Sequence, residues 1–392
     1  MITMQRIPKK YCIITDKHLK LKINENTPFI NETLFLYLQL IKKKINKYTH
    51  EWNIYKKYTN TYEYIHTHIT QYSTSISQIK PVSRAFYKLI EIINTFKLFD
   101  DYKGRNIKTF HLAEAPGGFI EATSFLRNNK NDEYFGITLS NKHNIPSWKP
   151  STLVYNKNIF FDTGVDSTGD LYNHENLVYF SKQYKDQFDF VTADGGIDFS
   201  SDFENQELMA LKLILCEIFY AITILKNGGN FVIKFFDIFY KPTVECICLL
   251  SILFKKVTII KPATSRTANS EKYIVCENLN IKNKDVLIKK FYNILKVINK
   301  LDNCFSICSF LDIPLNQHFI NKIEEFNCIL SNKQIKNILK TIKLIVNNDR
   351  KNDKIDNLKN NNIKSCISWC VNNNIPYNNK YKPVNIFLNK KI

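Results

Sequence analysis

Between residues 81 and 280 short apolar runs alternate with amphipathic stretches, and this rhythm restricts the fold more than any other feature of the chain. The runs are "KTFHLAEA", "EYFGITL", "STLVYN", "FDFVTAD", "NFVIKFF", "KKVTIIKP" and "EKYIVCE". Strand-length apolar runs that alternate with amphipathic segments predict an α/β domain with a mostly parallel sheet. Only a short polar loop separates the last two runs, which suits an antiparallel hairpin at a sheet edge.

The stretch "HLAEAPGGFIEAT" (His111 to Thr123) places Gly117 and Gly118 behind Pro116, at the junction of the first strand and the helix that follows it. Open α/β sheets bind ligands at the carboxyl ends of their strands, so backbone without side chains at this turn marks a candidate ligand loop. Neither GxGxxG nor GxxxxGK[ST] occurs, which disfavours dinucleotides and triphosphates there. S-adenosylmethionine, whose methionine part can pack on a bare loop, is the remaining common ligand. An ordinary tight turn is the competing reading of the glycine pair.

The segments on either side have a different character. Net charge is +8 over residues 1–80, −1 over 81–280 and +12 over 281–392, within a total of +19. Basic flanks can neutralise phosphates, although lysine-rich sequence is also ordinary solvated surface. Residues 1–80 read as a basic N-terminal extension. Residues 281–392 read as a basic, helical, Asn/Lys-rich C-terminal region in which "NNDRKNDKIDNLKNNNIKS" is a predicted linker or loop. At 392 residues and 44% apolar content the chain can bury one large core or two smaller ones. No apolar run reaches the roughly 18 residues of a membrane span, and the N-terminus lacks a secretory signal core. A soluble intracellular protein is expected. The ten cysteines form no CxxC pair, so reduced thiols and no metal site are expected.

Five motifs stand in a fixed order: "SRAFYKL" (Ser83–Leu89), "EAPGGF" (Glu114–Phe119), "FVTADGG" (Phe190–Gly196), "GGNFVIKFF" (Gly228–Phe236) and "KPATSRTANSEKYIV" (Lys261–Val275). In this order they resemble the FtsJ-like ribose 2′-O-methyltransferases, most closely the cap-specific and Adrift-type branch that shares "HLxEAPGxF". The resemblance implies a Rossmann-like fold, S-adenosylmethionine as cofactor and RNA as substrate. It also implies a Lys-Asp-Lys-Glu tetrad at Lys88, Asp194, Lys234 and Glu271. Cofactor contacts are implied for Glu114, Pro116, Gly117, Gly118, Phe119, Asp194 and, at the adenine end, Asp170 in "STGDL".

Two positions depart from the family pattern. No carboxylate ends "YFGITLS", and His111 stands where the family commonly has Asp. Both departures fit the messenger-cap branch better than the ribosomal one.

The residue types suit the chemistry. A ribose hydroxyl must be held in line and lose its proton as the methyl transfers. Lys234 interrupts the apolar run "FVIKFF", where an unpaired charge would be costly. As the base it must be neutral part of the time, which burial and Lys88 should favour while Asp194 and Glu271 oppose. The expected activity is therefore 2′-O-methylation of RNA at the first transcribed nucleotides of capped messages. The alternatives are a structured ribosomal or transfer RNA as substrate, or a non-catalytic RNA-binding capping subunit. Capping or transcription machinery is a candidate partner. The composition fits an AT-rich genome, with a large cytoplasmic DNA virus, hence host cytoplasm or virion, among the candidates. Phosphate gripping is expected from the flanks, which carry +8 and +12, so that loss of residues 281–392 should weaken RNA binding more than cofactor binding.

Overall fold

The computed structural model describes residues 2–69, 74–140, 147–148, 156–197, 205–301, 305–347, 351–378, 384–385 and 390–391. In chain order the strands that matter here are β1 (Thr3–Ile7), β2 (Leu19–Ile23), β3 (Lys108–Leu112), β4 (Glu133–Ile137), β5 (Ile159–Asp162), β6 (Phe188–Ala193), β7 (Leu225–Phe235), β8 (Phe254–Lys261), β9 (Lys272–Leu279) and β10 (Ile307–Leu311). The helices are α1 (Glu32–Lys43), α2 (Thr49–Thr59), α3 (Ala85–Phe96), α4 (Gly118–Arg127), α5 (His174–Gln183), α6 (Gln206–Ile224), α7 (Lys241–Leu253), α8 (Lys284–Ile298), α9 (Gln317–Val346) and α10 (Lys351–Asn372). Among the described residues, no helix is long and apolar enough to cross a membrane.

Eight strands form one sheet in the order β1-β8-β9-β7-β6-β3-β4-β5. Pairing is parallel from β7 through β6, β3 and β4 to β5, as the strand-helix alternation predicts. Strands β8 and β9 form the expected antiparallel hairpin, but it is not the edge. Strand β9 lies between β7 and β8, and β1 covers β8 with Thr3 opposite Lys261. The extra strand comes from the N-terminal segment, which the sequence reading left without a place in the sheet. The predicted strand "STLVYN" falls outside the described residues except for Asn156. The strand beside β4 is formed by "IFFD" (β5).

Strand side chains alternate between faces, and the two cores sort by that parity. Val191, Phe231, Ile233, Ile259, Ile274 and Cys276 face one core with α6, α7 and α8. Phe190, Val232, Ile260, Tyr273 and Val275 face the other with α3, α4 and α10. Strand β6 is buried along its whole length, as expected of a central parallel strand covered on both faces.

The flanks share these cores. Ile7, Leu19 and Ile30 belong to the first core, as do Phe310 and Phe326 from the far end of the chain. Strands β2 and β10 pair in a small sheet that the helical reading of the C-terminal region did not include. Buried Glu245 of α7 holds this sheet, accepting hydrogen bonds from Ser309 Oγ and the amides of Phe310 and Leu311 at 2.7, 2.7 and 3.0 Å. The Asn-rich stretch predicted as a linker is, from Lys351 onward, the first half of α10. Composition misled there. Ile363, Cys366, Ile367, Trp369 and Cys370 give the helix one apolar stripe that packs on the second core. Tertiary burial then outweighs the weak helix propensity of asparagine.

Candidate active site

Parity brings the four tetrad residues together. Lys234 lies two residues beyond Val232 on β7, and Asp194 lies four beyond Phe190, just past the end of β6. Glu271 precedes Tyr273 by two, so the three side chains rise from one face of the sheet. Lys88 comes to the same place from α3, which packs on that face. Lys234 Nζ is 3.1 Å from Asp194 Oδ1 and donates to the Asp194 carbonyl at 2.8 Å. Lys88 Nζ is 2.8 Å from the Glu271 carboxylate. Two ion pairs thus stand side by side, with side-chain exposures of 7–12%.

Their protonation follows from the crowding. Burial alone would raise the Glu271 carboxyl, but the charges of Lys88, Lys234 and Lys261 hold it well below the usual carboxylate range. Burial pulls Lys234 toward the neutral amine, yet Asp194 and Glu271 outweigh it and raise Lys234 above an ordinary lysine. Of the opposing influences expected from sequence, the two carboxylates prevail. In the unliganded site Lys234 is an ammonium.

Several supporting residues escaped the sequence reading. The Tyr273 hydroxyl donates to Asp194 Oδ1 at 2.7 Å and lies 3.5 Å from Lys88 Nζ, linking the two ion pairs. Its i+2 relation to Glu271 was the available signal. Glu217 of α6 accepts the Gly195 amide at 3.1 Å, beneath the turn that carries Asp194. Burial, opposed by Lys234, pushes its carboxyl up to about 8. A Cβ on Gly195 would lie 2.2 Å from Glu217 Oε1, which explains the glycine. Glu217 interrupts "LILCEIFY" as Lys234 interrupts its strand, so the same burial argument could have found it.

The loop between β8 and β9, which delivers Glu271, is tied down from several sides. Ser265 Oγ donates to Glu271 Oε1 at 2.8 Å. Lys261 Nζ donates to the carbonyls of Asn269 and Glu271, both at 2.7 Å. Buried Glu91, one turn after Lys88 on α3, accepts from the amides of Ala263 and Thr264 at 2.7 and 3.1 Å. It also accepts from Trp369 Nε1 of α10 at 3.2 Å, so the C-terminal region reaches underneath the tetrad.

The glycine loop is built differently from the expectation. Gly117 has φ +108°, a conformation that favours glycine. Gly118 is bare because α3 packs on it: a Cβ there would lie 2.2 Å from Ser83 Oγ and 3.2 Å from the Phe86 amide. Glu114 turns inward and accepts the Phe119 amide at 2.5 Å, capping the first turn of α4. Burial and then the Asp194 charge raise its carboxyl well above the usual range. Phe119 points into the second core. Of the residues expected at this loop, Pro116 is the half-exposed one.

Asp170 lies half-buried in the loop after β5, which Ser140 fastens to the end of β4 through its amide bond to Thr168 O at 2.7 Å. Its Oδ1 accepts the Tyr172 amide at 2.8 Å, and Oδ2 has no partner among the described residues. His111 is enclosed by its own sheet. It is fully buried between β3 and β6, bonded to Thr109 and Thr192 at 3.0 and 2.8 Å, and desolvation pushes its ring down to about 3.

A doubly covered parallel sheet with paired lysines and carboxylates past its central strands defines the class. The chain belongs to the FtsJ-like methyltransferase family, whose model matches residues 81–279, just over half of the sequence. Among curated proteins it is 28% identical to cap-specific mRNA (nucleoside-2′-O-)-methyltransferase 2 of Danio rerio, over 79% of this chain and 43% of that protein. It is 34% identical to cap-specific mRNA (nucleoside-2′-O-)-methyltransferase 1 of Mus musculus, over 51% of this chain and 24% of that protein. A third relative, 28% identical over 59% of this chain and 29% of its own length, is named inactive cap-specific mRNA (nucleoside-2′-O-)-methyltransferase 1B, of Caenorhabditis briggsae. The chain thus spans less than half the length of the curated relatives it matches.

Proposed function

We propose that this protein methylates the ribose 2′-hydroxyl of RNA at the first transcribed nucleotides of capped messages, with Lys88, Asp194, Lys234 and Glu271 as its reacting site. One observation carries the reading. Two buried lysine–carboxylate pairs, joined by Tyr273, stand at the carboxyl edge of β6 and β7 with Lys234 at their centre. The inactive relative shows that family membership alone does not establish activity, so the intact tetrad has to bear the argument.

The residues at the carboxyl edge suit S-adenosylmethionine. The unused oxygen of Asp170 offers an acceptor to the adenine amine, while Pro116 and the backbone of Gly117 border the strand end beside Asp194. When bound, the cofactor supplies an electrophilic methyl on a sulfonium whose positive charge disfavours the ammonium form of Lys234. Lys234, once neutral, accepts the hydroxyl proton as the ribose oxygen takes the methyl. Lys88 and Glu271 fix the neighbouring charges, and Asp194 orients the amine through Oδ1 and its carbonyl. Glu114, Gly118 and Phe119 shape the loop from behind.

The test is methyl transfer from labelled S-adenosylmethionine to matched capped and uncapped transcripts, with the product nucleotide mapped. Labelling at the first nucleotides of capped RNA alone is expected. Equal labelling without a cap would favour a structured-RNA substrate. Cofactor binding without transfer to either would favour a non-catalytic subunit.

A further inference from the structure

The N-terminal segment places a second group of cations beside the tetrad, and their charges are poorly balanced. Lys56 lies within electrostatic reach of Arg266, Arg84 and Lys57, and Arg84 in turn feels Glu271 and Tyr273. Glu63 is the carboxylate among them. Arg266 occupies it with two hydrogen bonds, at 3.1 and 2.7 Å. His66 adds no charge near neutrality, because burial and then Arg84 push its ring down to about 4. Lys56 donates to the neutral Asn53 Oδ1 at 2.6 Å. Among the described residues, Lys57 and Arg84 make no hydrogen bond or ion pair through their side chains.

We infer that Lys56 and Lys57 of α2 form a phosphate-binding track for the RNA strand, continuous through Arg84 and Arg266 with the reacting site. The inference rests on the RNA reading above and assigns the backbone contacts to a segment outside the family motifs. Like charges gathered at a half-buried place are unfavourable until an anion joins them. Arg84, one turn before Lys88 at the start of α3, feels the charge of Glu271, and Lys56 on α2 feels Arg84 and Arg266. The cations thus connect the tetrad with α2, where a polymer that presents a ribose to Lys234 can place its phosphates. An acidic protein partner would have no reason to begin at the tetrad.

The C-terminal region carries the larger total charge, +12 against +8 for residues 1–80. Several of its lysines are already engaged, Lys322 with Glu325 at 2.8 Å and Lys359 with Asp356 at 3.2 Å on their own helices, and Lys333 with Thr3 Oγ1 of β1 at 2.5 Å.

The test measures binding of a short capped RNA to the full chain at several salt concentrations. A Lys56→Ala/Lys57→Ala variant should bind at least tenfold more weakly, and its slope of log affinity against log salt should fall by about 1.4, two single-strand phosphate contacts. S-adenosylmethionine affinity should stay within twofold. A Lys289→Ala/Lys296→Ala variant of α8 removes the same charge elsewhere and should keep the parent slope.

Unchanged slope and affinity in the α2 variant would overturn the inference. So would an equal loss in the α8 variant, which would make the effect one of net charge, or a loss of cofactor binding, which would make it one of folding. Intact RNA binding together with lost binding of polyglutamate would give the patch to an acidic partner and overturn it too. Failure of the parent itself to bind RNA would instead remove the underlying reading, an outcome visible without any variant.

Discussion

Two buried clusters of the same composition, two lysines with one aspartate and one glutamate, come next to each other in the chain at Lys234 and Asp237 and at Glu271 and Lys272. The tetrad has Lys88, Lys234, Asp194 and Glu271. The other has Lys42, Lys272, Asp237 and Glu207. Lys42 Nζ meets Asp237 Oδ2 at 2.7 Å, Lys272 donates to the Phe236 carbonyl with Asp237 Oδ1 at 3.8 Å, and Glu207 accepts the amides of Phe239 and Tyr240 at 2.9 and 2.8 Å. Glu271 immediately precedes Lys272, the first residue of β9, and successive side chains of extended backbone point to opposite faces, so Lys272 belongs to one cluster and Glu271 to the other.

The difference lies in how each cluster is built and where it stands. Helix α1 supplies Lys42 and backbone amides hold Glu207 in the second, which lines a cavity with Lys261 and Asn327, whereas α3 supplies Lys88 to the first, which lies past the end of β6. Buried charge therefore marks a candidate site only together with its place in the sheet.

The largest expected effect separates the two in activity. Lys234→Ala should lower kcat at least a thousandfold, about 4 kcal/mol of barrier, with S-adenosylmethionine affinity nearly unchanged. Lys234→Arg should fail as well, because a guanidinium does not give up its proton. Lost cofactor binding in isothermal titration would make Lys234 a structural lysine like Lys272.

Stability should show the reverse. Asp237→Ala leaves Lys42 and Lys272 buried without their carboxylate and should cost about 3–5 kcal/mol in denaturant unfolding. Asp194→Asn, in the tetrad, should cost less stability and more activity. Equal stability losses would erase the distinction drawn here.

A smaller contrast is expected in pH dependence, with opposite signs. Burial, helped by Asp237, lifts the Glu207 carboxyl from its ordinary 4.5 to about 7. The folded state then binds the extra proton, so this group's contribution is present below pH 4.5 and lost as pH rises through about 7. Glu271 is depressed, so its contribution is present above the ordinary value and lost on acidification. Relative to the parent, Glu207→Gln should gain on the order of 1–3 kcal/mol between those pH values, and Glu271→Gln should lose least in acid. Melting temperatures across the pH range would check both signs.

Four candidate residues came from the order of the five motifs, and Lys234 alone was also legible as a charge inside an apolar strand. The sequence disclosed the parallel half of the sheet through its strand rhythm. It hid β1, whose "TMQRI" is too short and mixed to declare a partner, and it hid α10 under asparagines. Gly118 has a packing reason of its own, since a Cβ there would meet Ser83 on the approach to α3. Gly118→Ala should cost about 1–3 kcal/mol, and Ser83→Ala in the same chain should restore part of it. Rescue would assign the glycine to packing, and absence of rescue would return it to the ligand loop.

Strand β1 against β8, and β2 against β10, join the two ends of the polypeptide. The Lys20–Asp312 pair beside β2 and β10 spans 292 positions. At about 5–20 residues per second, ribosomal synthesis leaves the emerged N-terminal strands unpaired for roughly 15–60 s. In that interval β1 and β2 are open edges, a risk for association with other nascent chains. Pairings this distant in sequence also slow folding, because loop closure has to precede their reward. Trp369 seats on Glu91 beneath Lys88, and Lys42 in the neighbouring cluster, only when both segments have docked, so competence for chemistry is expected to come last in the life of a newly made chain.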